Sequence, residues 1–354
     1  MVNTKHALKS ALRESYARIL FHTGLHTLVD RVMPRRLTIL AGHCVSAPCN
    51  ARLPGDMKID ADRLARILRW FARRYEVATV GAAVTRLGER GSKSLVALSM
   101  DDGYADNVTH LLPILRAAGV SATIYLESRP LSERCVNWSH KFFAILDRLP
   151  PAEFVARYGA LSRDEKGQAA LASVLRSPGR ETYRLKRALK YDADPEDRSR
   201  VLDALFTETG GDERVLCDEL YMTWEGARVL RDAGVELGAH TVHHEILSRL
   251  SGTALAREVV DCKRTLEREL ATDCPSFAYP FGRRWDFHTE AAQEIAAAGF
   301  ASAVTTHAGT NVPGVDRYRL KRLMIDENAQ LHLLATEACG GFDLLRRFGL
   351  DLSD

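Results

Sequence analysis

Short apolar runs alternate with helical patterns along most of this chain, and few folds accept that rhythm. Residues 36–42, 94–98, 121–126, 235–238, 276–280 and 301–306 read as strands, each too short and too uniformly apolar for a surface helix. Shorter strands are expected at 77–80 and 319–325. Between them lie helices. The one that starts at Asp60 sets Leu64, Ile67, Leu68 and Phe71 on one face and Arg63, Arg66, Arg69 and Arg73 elsewhere. Others are expected over 106–118, closed by Gly119, and over 223–231, 253–270 and 289–298. Strand followed by helix, repeated about seven or eight times by this reading, gives an α/β class with a parallel sheet.

Residues 138–220 break the rhythm. They are polar and rich in Arg, Asp and Glu, with helical pieces at 141–148 and 194–209; Asp194 stands as N-cap before Pro195. The chain therefore divides into a basic helical segment (1–36), a first part of the sheet domain (37–137), a helical insertion (138–220), a second part (221–330) and a helical tail (331–354). The insertion reads equally as a passive cover or as a lid. Trp138, Phe142 and Phe143 within it read as helix packing or as a sugar-stacking platform.

Two strand ends carry chemistry. Ser99-Met100-Asp101-Asp102-Gly103-Tyr104 puts adjacent carboxylates where a strand becomes a loop. Neighbouring side chains leave a strand in different directions, so one carboxylate can hold a cation while the other stays free as a base. By itself Asp-Asp-Gly is also an ordinary turn. Gly238-Ala239-His240-Thr241-Val242-His243-His244 follows another strand. His240 is four residues from His244 and three from His243, and either spacing brings two imidazoles to one ion. Two His and one Asp make a common divalent site with positions left open. The Asp pair, the His loop, Pro280-Phe281-Gly282 and His307 all follow strands, the end at which parallel α/β barrels build their sites.

Together with Phe277-Ala278-Tyr279-Pro280-Phe281-Gly282, these motifs resemble the polysaccharide deacetylase family (NodB homology, carbohydrate esterase family 4), over roughly 43–326. The resemblance implies a distorted (β/α) barrel, often of seven strands, and a metal-dependent hydrolase that removes an N-acetyl or N-formyl group from an amino sugar. It assigns Asp102, His240 and His244 to a divalent metal, most often Zn2+, and Asp101 to the general base, with His243 turned away. Tyr279, Pro280, Phe281 and Gly282 would line the substrate and oxyanion side, the Phe281 N–H helping to hold the oxyanion. Thr241 would steady the loop or bind an anion. Two family features are missing. An Arg that pairs with the base is replaced by Ala278; Arg322 is the first substitute and Arg319 the second. The late leucine-x-histidine motif that supplies the acid is replaced by Leu323-Met324-Ile325-Asp326, which leaves His307 as the nearest acid. Gly42 replaces a Tyr before His43, which is read as structural or near the site.

Composition narrows the class further. The net charge of +3 in 354 residues gives no nucleic-acid signature. Residues 1–36 hold seven Lys/Arg against Glu14 and Asp30, a local +5. With Leu8, Leu12, Ile19 and Leu20 in a rough apolar stripe, this segment reads as a helix packed on the domain or as a peripheral membrane contact. The seven Cys include no Cys-x-x-Cys pair; Cys44 and Cys49 are near enough to pair, but free thiols are expected. No secretory leader or membrane span is read, so a cytoplasmic protein, peripheral at the inner membrane face, is expected, acting on a glycan or a lipid-linked precursor. The alternatives are a catalytically inactive glycan-binding barrel and a 2-His-1-carboxylate iron enzyme.

Overall fold

The computed structural model describes residues 2–89, 93–176, 179–350 and 352. They form two compact units. Met1–Pro48, Pro54–Ser128 and Met222–Asp354 make the first; Cys49–Leu53 and Arg129–Tyr221 make the second.

The first unit contains the strands β1 (Leu37–Gly42), β2 (Cys44–Val45), β3 (Lys58–Ile59), β4 (Glu76–Val77), β5 (Leu95–Met100), β6 (Thr123–Leu126), β7 (Glu236–Ala239), β8 (Ser276–Ala278), β9 (Ser302–Val304) and β10 (Leu323–Met324). Seven form one parallel path in the order β10-β1-β5-β6-β7-β8-β9. β4 pairs with the start of β5, and β2 with β3. Every residue of β1 and β5 is buried, as expected of strands covered on both faces. The path curls. The Leu320 N–H donates to the Ala303 carbonyl and the Thr305 N–H to the Leu320 carbonyl, which draws the β9 edge toward the segment entering β10. This is the distorted parallel barrel the sequence implied. Leu37, Ile39, Leu95, Ala97, Tyr125, Val304 and Leu320 fill its centre, with Val80, Ala83 and Leu87 from the helix Val80–Gly88.

Some elements differ from their expected bounds for local reasons. The strand expected at 77–80 is cut to β4, because the Thr79 hydroxyl accepts the Ala82 N–H and starts a helix. The strand expected at 319–325 shrinks to β10, since Arg319 closes a turn on the Asp316 carbonyl. The helices expected at 106–118 and 253–270 each contain a π-helical turn, Asn107–Leu111 and Arg257–Asp261.

At the N-terminus stand α1 (Val2–His22) and α2 (His26–Val32). They pack through Leu20, Val29 and Met33 on Cys339, with Tyr16 and Leu344 beside them. Buried Arg36 pairs with Asp343 at 2.6 Å from the helix Gly341–Arg347. The expected stripe is split: Leu20 faces inward while Leu8, Leu12 and Ile19 are exposed. Among the described residues no helix is long and apolar enough to cross a membrane.

The second unit is helical: Trp138–Leu146, Pro151–Leu161, Glu165–Val174, Glu181–Tyr191, Pro195–Glu208 and Glu213–Leu220. Asp194 caps its helix by accepting the Glu196 and Asp197 N–H groups. The unit begins before residue 138 because Arg134 reaches Asp218 at 2.7 Å and the Val136 N–H donates to Glu213. Trp138 lies buried beneath the Arg198 guanidinium, and Phe142 packs edge-on against Phe154. Both rings are core. Cys135, Cys217, Cys262, Cys274 and Cys339 are buried free thiols. The Cys49 side chain, and with it any pairing to Cys44, lies outside the described residues.

Gly238 in β7 runs against the Tyr125 ring, and a β-carbon there would stand 2.8 Å from the Ser276 carbonyl oxygen. Gly238→Ala is therefore expected to destabilise the protein by about 1–3 kcal/mol, read as a lowered urea midpoint at unchanged slope.

Candidate active site

Strand ends bring the chemistry together. β5 delivers Asp101 and Asp102, β7 delivers His240, and the loop beyond β7 folds back to place His244. One ligand atom each from Asp102, His240 and His244 falls within 4.8 Å of the others, and all three residues are buried. His240 Nε2 lies 3.2 Å and His244 Nε2 3.5 Å from Asp102 Oδ1. Neither approach has hydrogen-bond geometry, and Asp102 Oδ1 is buried without a hydrogen-bond partner. His240 Nδ1 lies 2.8 Å from the Ala278 carbonyl. A carbonyl only accepts, so Nδ1 carries the proton and Nε2 presents its lone pair. A buried carboxylate oxygen facing the ring nitrogens of two imidazoles is the donor set of a divalent cation. Burial alone would raise the Asp102 carboxyl, but the two imidazoles and His43 hold it well below the usual carboxylate range.

This geometry takes a backbone that L-residues seldom adopt. Seven described non-glycine residues have positive φ, and four of them are Asp102 (74°), Thr241 (70°), His244 (57°) and Phe281 (61°). Thr241 is β-branched and fully buried, so its conformation is imposed by its surroundings. Its hydroxyl accepts the His244 N–H at 3.0 Å and its carbonyl accepts the Ser128 N–H. Such strain costs about 1–3 kcal/mol per residue and collects where side chains must be aimed.

Asp101 points elsewhere. Both of its oxygens accept from Arg322, Oδ1 from Nη1 and Oδ2 from Nη2, each at 2.7 Å. Arg322 is fully buried; its Nε donates to the Thr305 carbonyl at 2.8 Å and its Nη1 to Ser99 Oγ at 3.2 Å. Burial would raise the Asp101 carboxyl, but the guanidinium charge and its two hydrogen bonds outweigh it and hold the group below its ordinary value. Arg319, the second substitute, instead contacts Thr289 and Asp316.

The other motif residues divide. Pro280, Phe281 and Gly282 form a tight turn in which the Gly282 N–H donates to the Pro280 carbonyl at 2.7 Å, and the Phe281 ring meets His244 edge-on at 4.7 Å. Tyr279 is taken up by packing: it stacks on Phe287 at 4.0 Å and its hydroxyl donates to the Tyr318 carbonyl. His307 accepts the Arg322 N–H at its carbonyl, while its ring lies near Phe287. Burial first, then Lys321, Arg284 and Arg319, lower its pKa. His43 follows β1, whose last residue, Gly42, accepts the Asp101 N–H. The His43 Nδ1 is buried without a partner.

Glu258 has no place in the sequence motifs, yet it clamps the His loop. Its Oε2 accepts the Val242 and His243 N–H groups at 3.0 and 2.9 Å, and its Oε1 lies 2.6 Å from His243 Nδ1. His243 is thus turned away from Asp102. The signal was an acid on the face of Leu255, Val259, Cys262 and Leu266, all buried in one helical run. The π-helical turn Arg257–Asp261 carries Glu258, and the other, Asn107–Leu111, begins with Asn107, which donates to the His43 carbonyl.

A family model described as polysaccharide deacetylase matches residues 193–303, which include the His loop and the Pro280 turn but not the Asp pair. No curated protein matches the chain in sequence. Solved structures share the fold. The Streptococcus pyogenes deacetylase PplD in complex with acetate has a TM-score of 0.55 at 17% identity, over 86% of this chain and 99% of that one. BC0361, a polysaccharide deacetylase from Bacillus cereus, gives 0.55 at 13% identity, over 86% and 69%. IcaB from Ammonifex degensii gives 0.53 at 15% identity, over 86% and 97%.

Two outcomes follow from the geometry. Arg322→Met leaves a buried carboxylate unpaired and is expected to cost about 3–5 kcal/mol at neutral pH. Because the folded Asp101 value is depressed, its stabilisation is present above about pH 4 and is lost as pH falls through the folded value. The deficit of the variant should therefore narrow toward acid, measured by urea unfolding across pH. Glu258→Ala is expected to weaken metal binding about 10–100-fold by chelator competition, with the fold retained by circular dichroism.

Proposed function

We propose that the chain acts as the family matched over residues 193–303 does, hydrolysing the N-acetyl (or N-formyl) amide of an amino sugar in a polysaccharide or lipid-linked glycan precursor. One observation carries the proposal. The loop after β5 offers Asp102 to a cation-binding set and Asp101 to a buried guanidinium, so a metal ligand and an oriented base come from adjacent residues.

Asp102, His240 and His244 would hold a divalent ion, most readily Zn2+ given two imidazoles and one carboxylate. Once bound, such an ion supplies Lewis acidity that polarises the amide carbonyl and makes water acidic enough to deprotonate. Asp101 takes that proton as water attacks; Arg322 keeps the carboxylate ionised and fixed in direction. The missing guanidinium at Ala278 is thereby replaced from Arg322, the residue that leads into β10 at the far end of the sheet path. Ala278 keeps a different task through its carbonyl, which fixes the His240 tautomer. The Phe281 N–H, in the turn beside His244, is the donor we assign to the developing oxyanion.

The leaving amine needs a proton. His43 is favoured over His307, because it follows directly on Gly42, whose carbonyl accepts the Asp101 N–H, whereas the ring of His307 packs near Phe287 and neighbouring cations lower its pKa. His43→Ala should then depress turnover far more than His307→Ala.

The direct test is acetate release from N-acetylated amino-sugar oligomers by the metal-loaded protein, beside its metal content by mass spectrometry. Asp101→Asn is expected to lose about 10²–10⁴-fold in turnover while retaining the metal. His240→Ala is expected to lose the metal itself. Bound iron with oxygen-dependent turnover would return the iron-enzyme reading. Glycan binding without hydrolysis, at full metal occupancy, would return the inactive barrel.

A further inference from the structure

The described chain leaves sixteen large hydrophobic side chains exposed, and eight of them lie in two short stretches. Leu8, Leu12 and Ile19 are 52–62% exposed on α1, and Leu25, Leu28 and Val32 are 49–66% exposed at or on α2. Phe348 (75%) and Leu350 (57%) follow the helix Gly341–Arg347, against which α2 packs. These are not residues awaiting the core. The inward sides of α1 and α2 already have their own, Tyr16, Leu20, Val29 and Met33, packed with Cys339 and Leu344. α1 is therefore apolar well beyond its buried side, on an adjoining flank that faces solvent.

The fully exposed charges on this stretch are basic. Over residues 8–36 the exposed positions include Arg18, His22 and Arg31 but no carboxylate; Glu14 and Asp30 are both partly withdrawn. Glu14 is occupied by Arg18 and His332. In the tail, Arg346 and Arg347 are exposed beside Phe348, and Asp343 is already shared by Arg36 and Arg346. Ser10, Ser15, Thr23 and Thr27, all exposed, fill the gaps with hydroxyls.

We propose that this face, Leu8, Leu12, Ile19, Leu25, Leu28 and Val32 with the flanking arginines, docks on an anionic lipid surface. Aliphatic side chains enter the headgroup boundary while arginines meet lipid phosphates, as on helices that lie in a membrane interface. A second copy of the chain is a poorer occupant, because a two-fold contact would set like-charged positions such as Arg31 and His22 against their own copies, with no exposed carboxylate over residues 8–36 to meet them. A protein partner would ordinarily be met by buried aromatic anchors, and the six central side chains are all aliphatic. The proposal is independent of the reaction assigned to the Asp101 site, whose residues lie on none of these elements.

The test is flotation of this 354-residue chain with phosphatidylcholine vesicles, with and without phosphatidylglycerol, beside light scattering across protein concentration. The expected result is binding to the anionic vesicles alone, weakened by high salt. Leu12→Glu with Leu28→Glu should lower that binding at least tenfold with the melting temperature unchanged, since both side chains are already exposed. Equal binding of the double variant would overturn the proposal, as would no binding by the parent protein. A concentration-dependent dimer abolished by the same pair, without vesicle binding, would also overturn it and assign the face to a second copy.

Discussion

Arg322 is fully buried, and its five N–H groups have to be answered from inside the barrel. Two go to Asp101, one to the Thr305 carbonyl and one to Ser99, so a single guanidinium ties β5 to the segments around β9 and β10. These are the sheet's two ends and its middle. Backbone bonds at Leu320 and between Arg322 and His307 draw the same segments together. An ion pair so enclosed stabilises little against an apolar replacement of equal volume, since both charges lose their hydration. Its value lies in direction. A bidentate pair holds the Asp101 carboxylate in one plane and leaves the neighbouring Asp102 as the carboxylate that, among the described residues, joins His240 and His244.

The strand ends store the strain that makes this division possible. Asp102, Thr241, His244 and Phe281 all sit in the left-handed region, each beside the candidate metal set. Ordinary extended backbone would carry Asp102 and His244 along their strands and away from one another. Hydrogen bonds compensate: Thr241 holds His244, Glu258 holds Val242 and His243, and Thr306 donates its N–H to the Gly282 carbonyl and its hydroxyl to the Phe281 carbonyl. Two π-helical turns, one behind each loop, place Glu258 and Asn107 where these contacts need them.

Much of this architecture is legible in the residues. Uniformly apolar runs of strand length, separated by one-sided helices, allow little except a parallel sheet covered on both faces. The break in that rhythm marks the helical unit, and Asp194-Pro195 marks one of its caps. The Asp pair and the His loop announce themselves because acids and imidazoles rarely cluster at strand ends without a ligand to hold. Element ends were less legible. The expected strand at 77–80 yields to a helix cap at Thr79, a competition between a hydroxyl and a ladder that spacing does not decide. Glu258 carries no motif, because a clamp on backbone N–H groups needs only to be an acid in the right place. Tyr279 reads like a site residue yet serves packing, since its side leads to Phe287 rather than to the His pair.

The sequence by itself determined the class of fold, the strand ends that carry chemistry and the kinds of ligand atom available there. Those follow from periodicity and residue type, which are local. Which atoms meet was decided by the tertiary structure alone. Arg322 and Asp101 are far apart in sequence, and only the curl of the sheet brings the guanidinium back to β5. His243 and His244 are adjacent and chemically identical; a left-handed turn and Glu258 make one a candidate ligand and the other a tether. Long-range closure and local strain set directions in space, and direction is what a linear pattern of residue types does not contain.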